Sequence, residues 1–309
     1  MGYERNDEKW LAVVVLLIEC CCIAQECVQY QDIQLRTPTI IALTLEPEPT
    51  KLPLGVCKNS VQLIVGGERA SYGEFPHHAL LGWTIDENTF DVEFKCGGTL
   101  ISNQHVLTAA HCIYYDPPTV VRFGENDILE YSDDEFDVAI VAYRIHPYYS
   151  AKRRYNDIGL YTVRFTHDIR PACLWYSDTR IGNQFIATGF GYKDSFILTR
   201  STVMMKVQLE QFSADDCALY FKGSPGLPRG IDDGQLCVGS GAGQGRDTCP
   251  GDSGGSLQIV TNPKTCIYSV VGITSAGKAC GLGESKALYT KVSYYIVWIE
   301  DNVWGANAL

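Results

Sequence analysis

From Ile64 onward, short apolar runs alternate with turn residues. Thr99 to Ile101, Val106 to Ala109, Val120 to Phe123, Val138 to Val141, Met204 to Leu209 and Val270 to Thr274 are rich in β-branched side chains and bounded by Gly, Asp, Asn or Pro. Runs of this length at close spacing predict the short strands of an antiparallel sandwich or barrel. The end of the chain follows another period. Val292, Tyr295, Ile296, Ile299 and Val303 fall at helical spacing, with Ser293 as N-cap, which predicts a C-terminal amphipathic helix. No repeat at a period of 20–50 residues suggests a solenoid.

Before Ile64 the pattern is different. Trp10 to Ile18 is an uninterrupted apolar run preceded by Arg5 and Lys9. It is short of the ~20 residues that cross a bilayer, and it suits the core of a secretory signal peptide. Residues 1–24 are read as that signal, cut after Ala24, with a short signal anchor as the alternative. Residues 25–63 carry Pro38, Pro47, Pro49 and Pro53 with Glu46 and Glu48 between them, and no sustained period. They read as an extended pro-segment or linker.

Composition narrows the class. The 309 residues carry a net charge of −11, which speaks against a nucleic-acid binder, since phosphate neutralisation needs clustered Lys and Arg. Thirteen cysteines exceed the needs of a cytosolic enzyme and point to an oxidising compartment or to metal. No Cys-x-x-Cys or His-x-x-x-His spacing supports zinc, and with a signal peptide ahead of them disulfides in a secreted, extracellular protein are expected. No later segment is long and apolar enough to be read as a membrane span.

Three motifs carry chemistry: Thr108-Ala109-Ala110-His111-Cys112, Tyr155-Asn156-Asp157-Ile158 and Gly251-Asp252-Ser253-Gly254-Gly255. A serine hydroxyl is a weak nucleophile near neutral pH and needs a base within hydrogen-bond reach, itself oriented by a third group. In this order and together, over residues 64–304, the motifs resemble the trypsin/chymotrypsin family of serine proteases. The resemblance implies an all-β fold: two packed six-stranded antiparallel barrels with a C-terminal α-helix, in a protease domain spanning residues 64–309. It implies His111 as base, Asp157 as its orienting carboxylate and Ser253 as nucleophile, with the backbone N–H groups of Gly251 and Ser253 as the oxyanion hole.

The same resemblance implies a zymogen. Ile64-Val65-Gly66-Gly67 matches the N-terminus exposed on activation, and its ammonium would pair with Asp252. Leu63 stands before that bond, where most relatives carry Arg or Lys. An upstream protease of apolar preference is therefore the expected activator, and the Leu-Ile junction resembles that of the insect snake-type cascade proteases. Asp247 matches the base of the primary pocket and implies cleavage after Arg or Lys, with Ser275, Gly277 and Ala287 as further pocket and cleft residues. The family's disulfide pattern implies Cys96–Cys112, Cys217–Cys237, Cys249–Cys280 and a pro-segment tether, Cys57–Cys173. Cys27 and Cys266 have no family partner and are left to pair together, pair between chains, or stay free. Residues 25–63 hold too few cysteines for the N-terminal clip module of arthropod cascade proteases.

Ala276 replaces the usual cleft tryptophan and Ala287 a usual pocket glycine. These departures keep a second function open: a feeble or non-catalytic homologue that acts as a binding partner in a cascade. No cofactor is implied. Glu125 and Glu135 bracket an acidic loop whose oxygen ligands suit Ca²⁺, with a solvated acidic loop as the alternative. Lys152-Arg153-Arg154 reads either as a device that steers acidic substrates or as a plain solvated turn. Expected partners are protein substrates, the activating protease and serpin-type inhibitors, with neither nucleic acid nor membrane.

Overall fold

The computed structural model describes residues 23–30, 67–86, 91–164, 167–177, 184–192, 200–240, 251–277 and 285–305, and the backbone strands β1 (Thr39–Ile41) and β2 (Pro49–Lys51). The β-branched runs form strands as the pattern predicts. β4 (His78–Asp86), β5 (Asp91–Leu100), β6 (His105–Thr108), β7 (Val120–Phe123), β8 (Phe136–Ile145) and β9 (Gly159–Val163) close an antiparallel barrel in the order β4-β5-β6-β9-β8-β7. Leu81, Leu100, Val106, Leu107, Val121 and Tyr161 fill its core.

A second ring is built from β11 (Phe185–Gly189), β12 (Met205–Gln211), β13 (Gln235–Ser240), β14 (Ser256–Asn262), β15 (Ile267–Gly277) and β16 (Ser285–Lys291). It closes because β15 pairs with both β14 and β16. Two short strands attach outside it: β3 (Glu68–Arg69) on β12, and β10 (Cys173–Leu174) parallel to β15. β15 is buried almost throughout because its two faces meet different cores. Val271 packs inside the second barrel, while Val270 and Ile273 belong to the cluster that joins the first barrel to the C-terminal helix. The fold is thus the expected pair of six-stranded antiparallel barrels with a C-terminal helix.

Three helices are described. α1 covers residues 23–30, α2 is Ala214–Tyr220, capped by Ser213 through the Asp216 N–H, and α3 is Ile296–Val303. The predicted face of the last helix is buried through Val292, Tyr295, Ile299 and Val303. Its start is corrected. Ser293 lies inside a 3-10 turn, Val292–Tyr295, and Tyr295 occupies the cap position without a side-chain cap bond.

α1 also departs from the extended reading of residues 25–63. Ile23, Cys27 and Tyr30 recur at i, i+4 and i+7, which places them on one helical face. Ile23 enters the first-barrel core cluster, and the Tyr30 hydroxyl donates to the Ile101 carbonyl at 3.1 Å. The expected cut after Ala24 falls within this helix.

α1 corrects the tether. Cys173 bonds Cys27, with Cα atoms 5.2 Å apart, and not Cys57. The docked helix face carries Cys27 to Cys173, and a sulfur forms one disulfide. Cys57 lies outside the described residues. Cys96–Cys112 and Cys217–Cys237 pair as the resemblance implies, and Cys266 is also disulfide-bonded. Cys249 and Cys280 lie outside the described residues. No helix among the described residues is long and apolar enough to cross a membrane.

Candidate active site

His111 sits in a 3-10 turn, Ala110–Cys112, directly after β6. The turn is drawn against the barrel by the buried methyls of Ala109 and Ala110 and tied to β5 by the Cys96–Cys112 disulfide. Asp157 precedes β9. The residue before it, Asn156, adopts φ +54°, a conformation Asn tolerates better than most side chains. Its amide is held at both ends: Nδ2 donates to the Tyr148 carbonyl at 3.1 Å, and Oδ1 accepts from the Tyr295 hydroxyl at 3.0 Å. That turn aims the Asp157 carboxylate inward, where its side chain is 6% exposed.

Four bonds fix the carboxylate and its backbone. His111 Nδ1 lies 2.8 Å from Asp157 Oδ2, and the His111 N–H donates to Oδ1 at 2.9 Å. Ser275 Oγ donates to Oδ2 at 2.5 Å, and Thr290 Oγ1 donates to the Asp157 carbonyl at 2.8 Å. Ser275 and Thr290 come from the second barrel, so the His111–Asp157 pair is held from both sides of the barrel interface. Burial alone would lower the His111 pKa, but the charge and hydrogen bond of Asp157 outweigh it and hold it above the ordinary value, against the opposing charge of Arg154. Burial would raise Asp157, yet His111 and Ser275 bring it below the ordinary carboxylate value.

Ser253 is presented by a loop tied to both barrels. Its carbonyl accepts from the Gly97 N–H of β5 at 2.7 Å. On the other side Gly254 N donates to Thr274 O at 2.8 Å, and Thr274 N returns a bond to Gly255 O at 2.9 Å. Gly254 has φ +78°, and a Cβ there would stand 2.2 Å from Thr108 Oγ1, so only glycine fits. Gly251 has φ +101° under the same constraint. Asp252 Oδ1 accepts from Gly191 N at 2.7 Å, and a Cβ at Gly189 or Gly191 would collide with its carboxylate.

The remaining expected site residues are dispersed. Gly277 is exposed at the end of β15, in register with Ala287 on β16. Ala287 is buried in the second-barrel core with Val238 and Tyr289, and Ala276 packs beside Tyr155 and Leu288. Leu63, Ile64 and Asp247 lie outside the described residues. Glu125 and Glu135 do converge, but on a guanidinium. Arg122 Nη1 lies 3.3 Å from Glu125 and 3.9 Å from Glu135, while Nε and Nη2 clasp Asp137 at 2.7 and 3.0 Å. One guanidinium therefore bridges both glutamates. Lys152, Arg153 and Arg154 are exposed, and Arg154 Nε reaches the Pro225 carbonyl at 3.3 Å. Cys96, His111 and Cys112 cluster within ligand distance, but both sulfurs are in the disulfide and offer no thiolate to a metal.

Two contributors escaped the sequence reading: Thr290, which fixes the Asp157 backbone, and Arg200, whose Nη2 would stand 2.8 Å from a Cβ at Gly251. Neither belongs to a local motif. The trypsin family profile matches residues 64–299, most of the chain. The chain belongs to the trypsin family. Among its relatives, Serine protease snk of Drosophila melanogaster is 39% identical over 252 residues, covering 79% of this chain and 58% of that protein. Serine protease Hayan of the same fly is 34% identical over 257 residues, covering 79% of this chain and 39% of its own length. Proclotting enzyme of Tachypleus tridentatus is 30% identical over 285 residues, covering 84% of this chain and 73% of that protein. This trypsin-family chain therefore spans less than two thirds of the first two of those relatives.

Proposed function

We propose that the chain is a secreted serine endopeptidase, made as a zymogen and activated by cleavage between Leu63 and Ile64. It hydrolyses peptide bonds after Arg or Lys through an acyl-enzyme, within an extracellular cascade. The observation that carries this reading is the Asp157 carboxylate held between His111 and Ser275 beside a glycine-tethered Ser253 loop.

In the proposed reaction His111 takes the Ser253 proton as the hydroxyl attacks the substrate carbonyl, then returns it to the leaving amine. Asp157 keeps the imidazole in the tautomer with its proton on Nδ1 and stabilises the positive form that appears in between. The developing oxyanion meets the N–H groups of Gly251 and Ser253. Water then cleaves the acyl-enzyme by the same proton route. No cofactor takes part.

Activation would free the Ile64 ammonium to pair with Asp252, while the Cys27–Cys173 disulfide keeps the released N-terminal piece attached. Relatives named Proclotting enzyme and Phenoloxidase-activating factor 3 support a cascade role. The partners proposed for it are protein substrates, an activating protease of apolar preference and serpin-type inhibitors.

The test uses the full chain cut so that Ile64 is the sequenced new N-terminus. Hydrolysis of an Arg-amide, well above that of Leu- and Phe-amides and absent in Ser253→Ala, is the expected result. Absence of turnover above the Ser253→Ala blank overturns the endopeptidase reading in favour of a binding homologue. A preference for Leu or Phe overturns the assignment of Asp247.

A further inference from the structure

Arginine carries a permanent charge and a rigid planar fork of five donors, so a half-buried arginine normally has a carboxylate against it. Arg200 does not. It enters the structure at an isolated bridge to Tyr192, and its guanidinium lies over the Tyr192 ring at 5.9 Å. Nη1 donates to the Phe94 carbonyl. Nε is buried with no hydrogen-bond partner, and no carboxylate pairs with the group among the described residues. The fork instead abuts Gly251, where an added Cβ would stand 2.8 Å from Nη2 and 3.2 Å from Nε. A cation without a carboxylate partner among the described residues thus borders the glycine proposed to hold the oxyanion.

Its side of the cleft follows from the ties on Ser253. One side of the Ser253 loop is laddered to β15, the strand that carries Ser275 and Gly277. Under the proposed function that edge receives the residues before the cut. The other side is bonded to Gly97 of β5, the strand that also carries Phe94. The half of the substrate that follows the scissile bond leaves across β5 and Gly251, past Arg200.

We propose that Arg200 is a specificity residue for the leaving half of the substrate, selecting a carboxylate side chain within the first residues after the cut. The inference rests on the endopeptidase reading and goes beyond it by naming a second determinant. Phe94 and Tyr192 hold the fork in place, and an Asp or Glu side chain would pair with the guanidinium charge, which meets no carboxylate among the described residues. A charge-assisted hydrogen bond of this kind corresponds to a preference of roughly tenfold or more. A stabiliser of the oxyanion would instead act on every substrate equally.

The processed full chain is assayed on peptides that share an Arg at the cut and carry Glu, Ala or Lys at the second position after it, beside an Arg-amide with no leaving peptide. Wild type is expected to rank them Glu, Ala, Lys in kcat/KM, with about tenfold between the extremes. Arg200→Leu should bring the Glu-to-Lys ratio close to one, and Arg200→Lys should retain part of it. Equal rates on the three peptides in wild type, or an equal loss on all four substrates in Arg200→Leu, overturns the proposal. The same peptides are titrated into Ser253→Ala protein by calorimetry. Tighter binding of the Glu peptide, lost with Arg200→Leu added, supports the Arg200 assignment even where wild type fails to turn over, a failure that would count against the endopeptidase reading alone. Equal affinities overturn the Arg200 assignment whatever the turnover.

Discussion

At the residue scale, the His111–Asp157 pair makes stability and activity respond to pH in opposite senses. The folded-state pKa of His111 is raised, so its contribution to stability is complete below the unfolded value near 6.5 and fades as pH rises through the folded value. Activity needs the neutral base, so it should appear over the rise that removes this stabilising contribution. Asp157 is lowered, and its contribution holds above the unfolded carboxylate value and is lost only as pH falls below it. An Arg-amide profile should rise to a plateau with an apparent pKa above 6.5. Asp157→Asn should cut kcat by about 10⁴-fold, the cost of losing the tautomer-holding carboxylate in a serine triad. A variant within tenfold of wild type would mean that Asp157 does not orient the base. Thr290 bonds the backbone carbonyl of residue 157, which the substitution leaves intact, so the loss reports the carboxylate and not the turn.

At the element scale, the strands were legible where an apolar run met a turn residue, as at Val120–Phe123, which forms β7 over the same residues. β4 was missed because it opens on His78 with His77 just before it, a polar pair that reads as surface but is buried. α1 was missed because a boundary drawn at Ala24 cut its period after the first member, leaving Cys27 and Tyr30 without Ile23. The triad was legible because each member sits in a local motif. Arg200 was not, since its meaning depends on Phe94, distant in the chain. Lys206 was hidden inside a β-branched run and ties β3 through Glu68, beside the backbone pairing of β3 with β12. Its Nζ lies 2.7 Å from Glu74 and 2.9 Å from Glu68, with the lysine side chain 3% exposed. Burial would lower its pKa, but the two carboxylates raise it. Lys206→Met leaves both carboxylates facing each other without a cation, at a cost of about 3 kcal/mol, or roughly 6–12 °C in Tm for a domain of this size. Adding Glu68→Gln and Glu74→Gln should recover much of it. A single-variant loss under about 2 °C would show that β3 is held by its backbone bonds to β12 alone.

At the scale of the whole molecule, the two barrels meet across groups that acid should separate. His77 Nε2 lies 2.7 Å from Gln258 Oε1 on β14, and His78 Nδ1 lies 3.3 Å from Thr188 Oγ1 on β11. Both histidines are buried, and burial lowers their pKa values to about 4 for His77 and about 3 for His78, where the neighbouring His77 adds to the effect. Burial also lowers His105 and His146. A depressed histidine contributes its full stability above 6.5 and loses it as pH falls toward the folded value, at up to about 1.4 kcal/mol per pH unit per group. His111 has the opposite sign, but one raised group faces four lowered ones. The urea midpoint should therefore fall between pH 7 and pH 5. His78→Met, close in volume and unable to take a proton, should flatten that fall, because the ring it replaces is the one burial depresses furthest and its buried Nε2 has no partner among the described residues. An unchanged midpoint in wild type would mean that the interface admits enough water to hydrate the imidazolium. A fall of equal slope in His78→Met would move the acid sensitivity to His77, His105 or His146. Acid loss of activity would then precede loss of fold, since protonation disables His111 near its raised pKa while the buried pair still holds the barrels together.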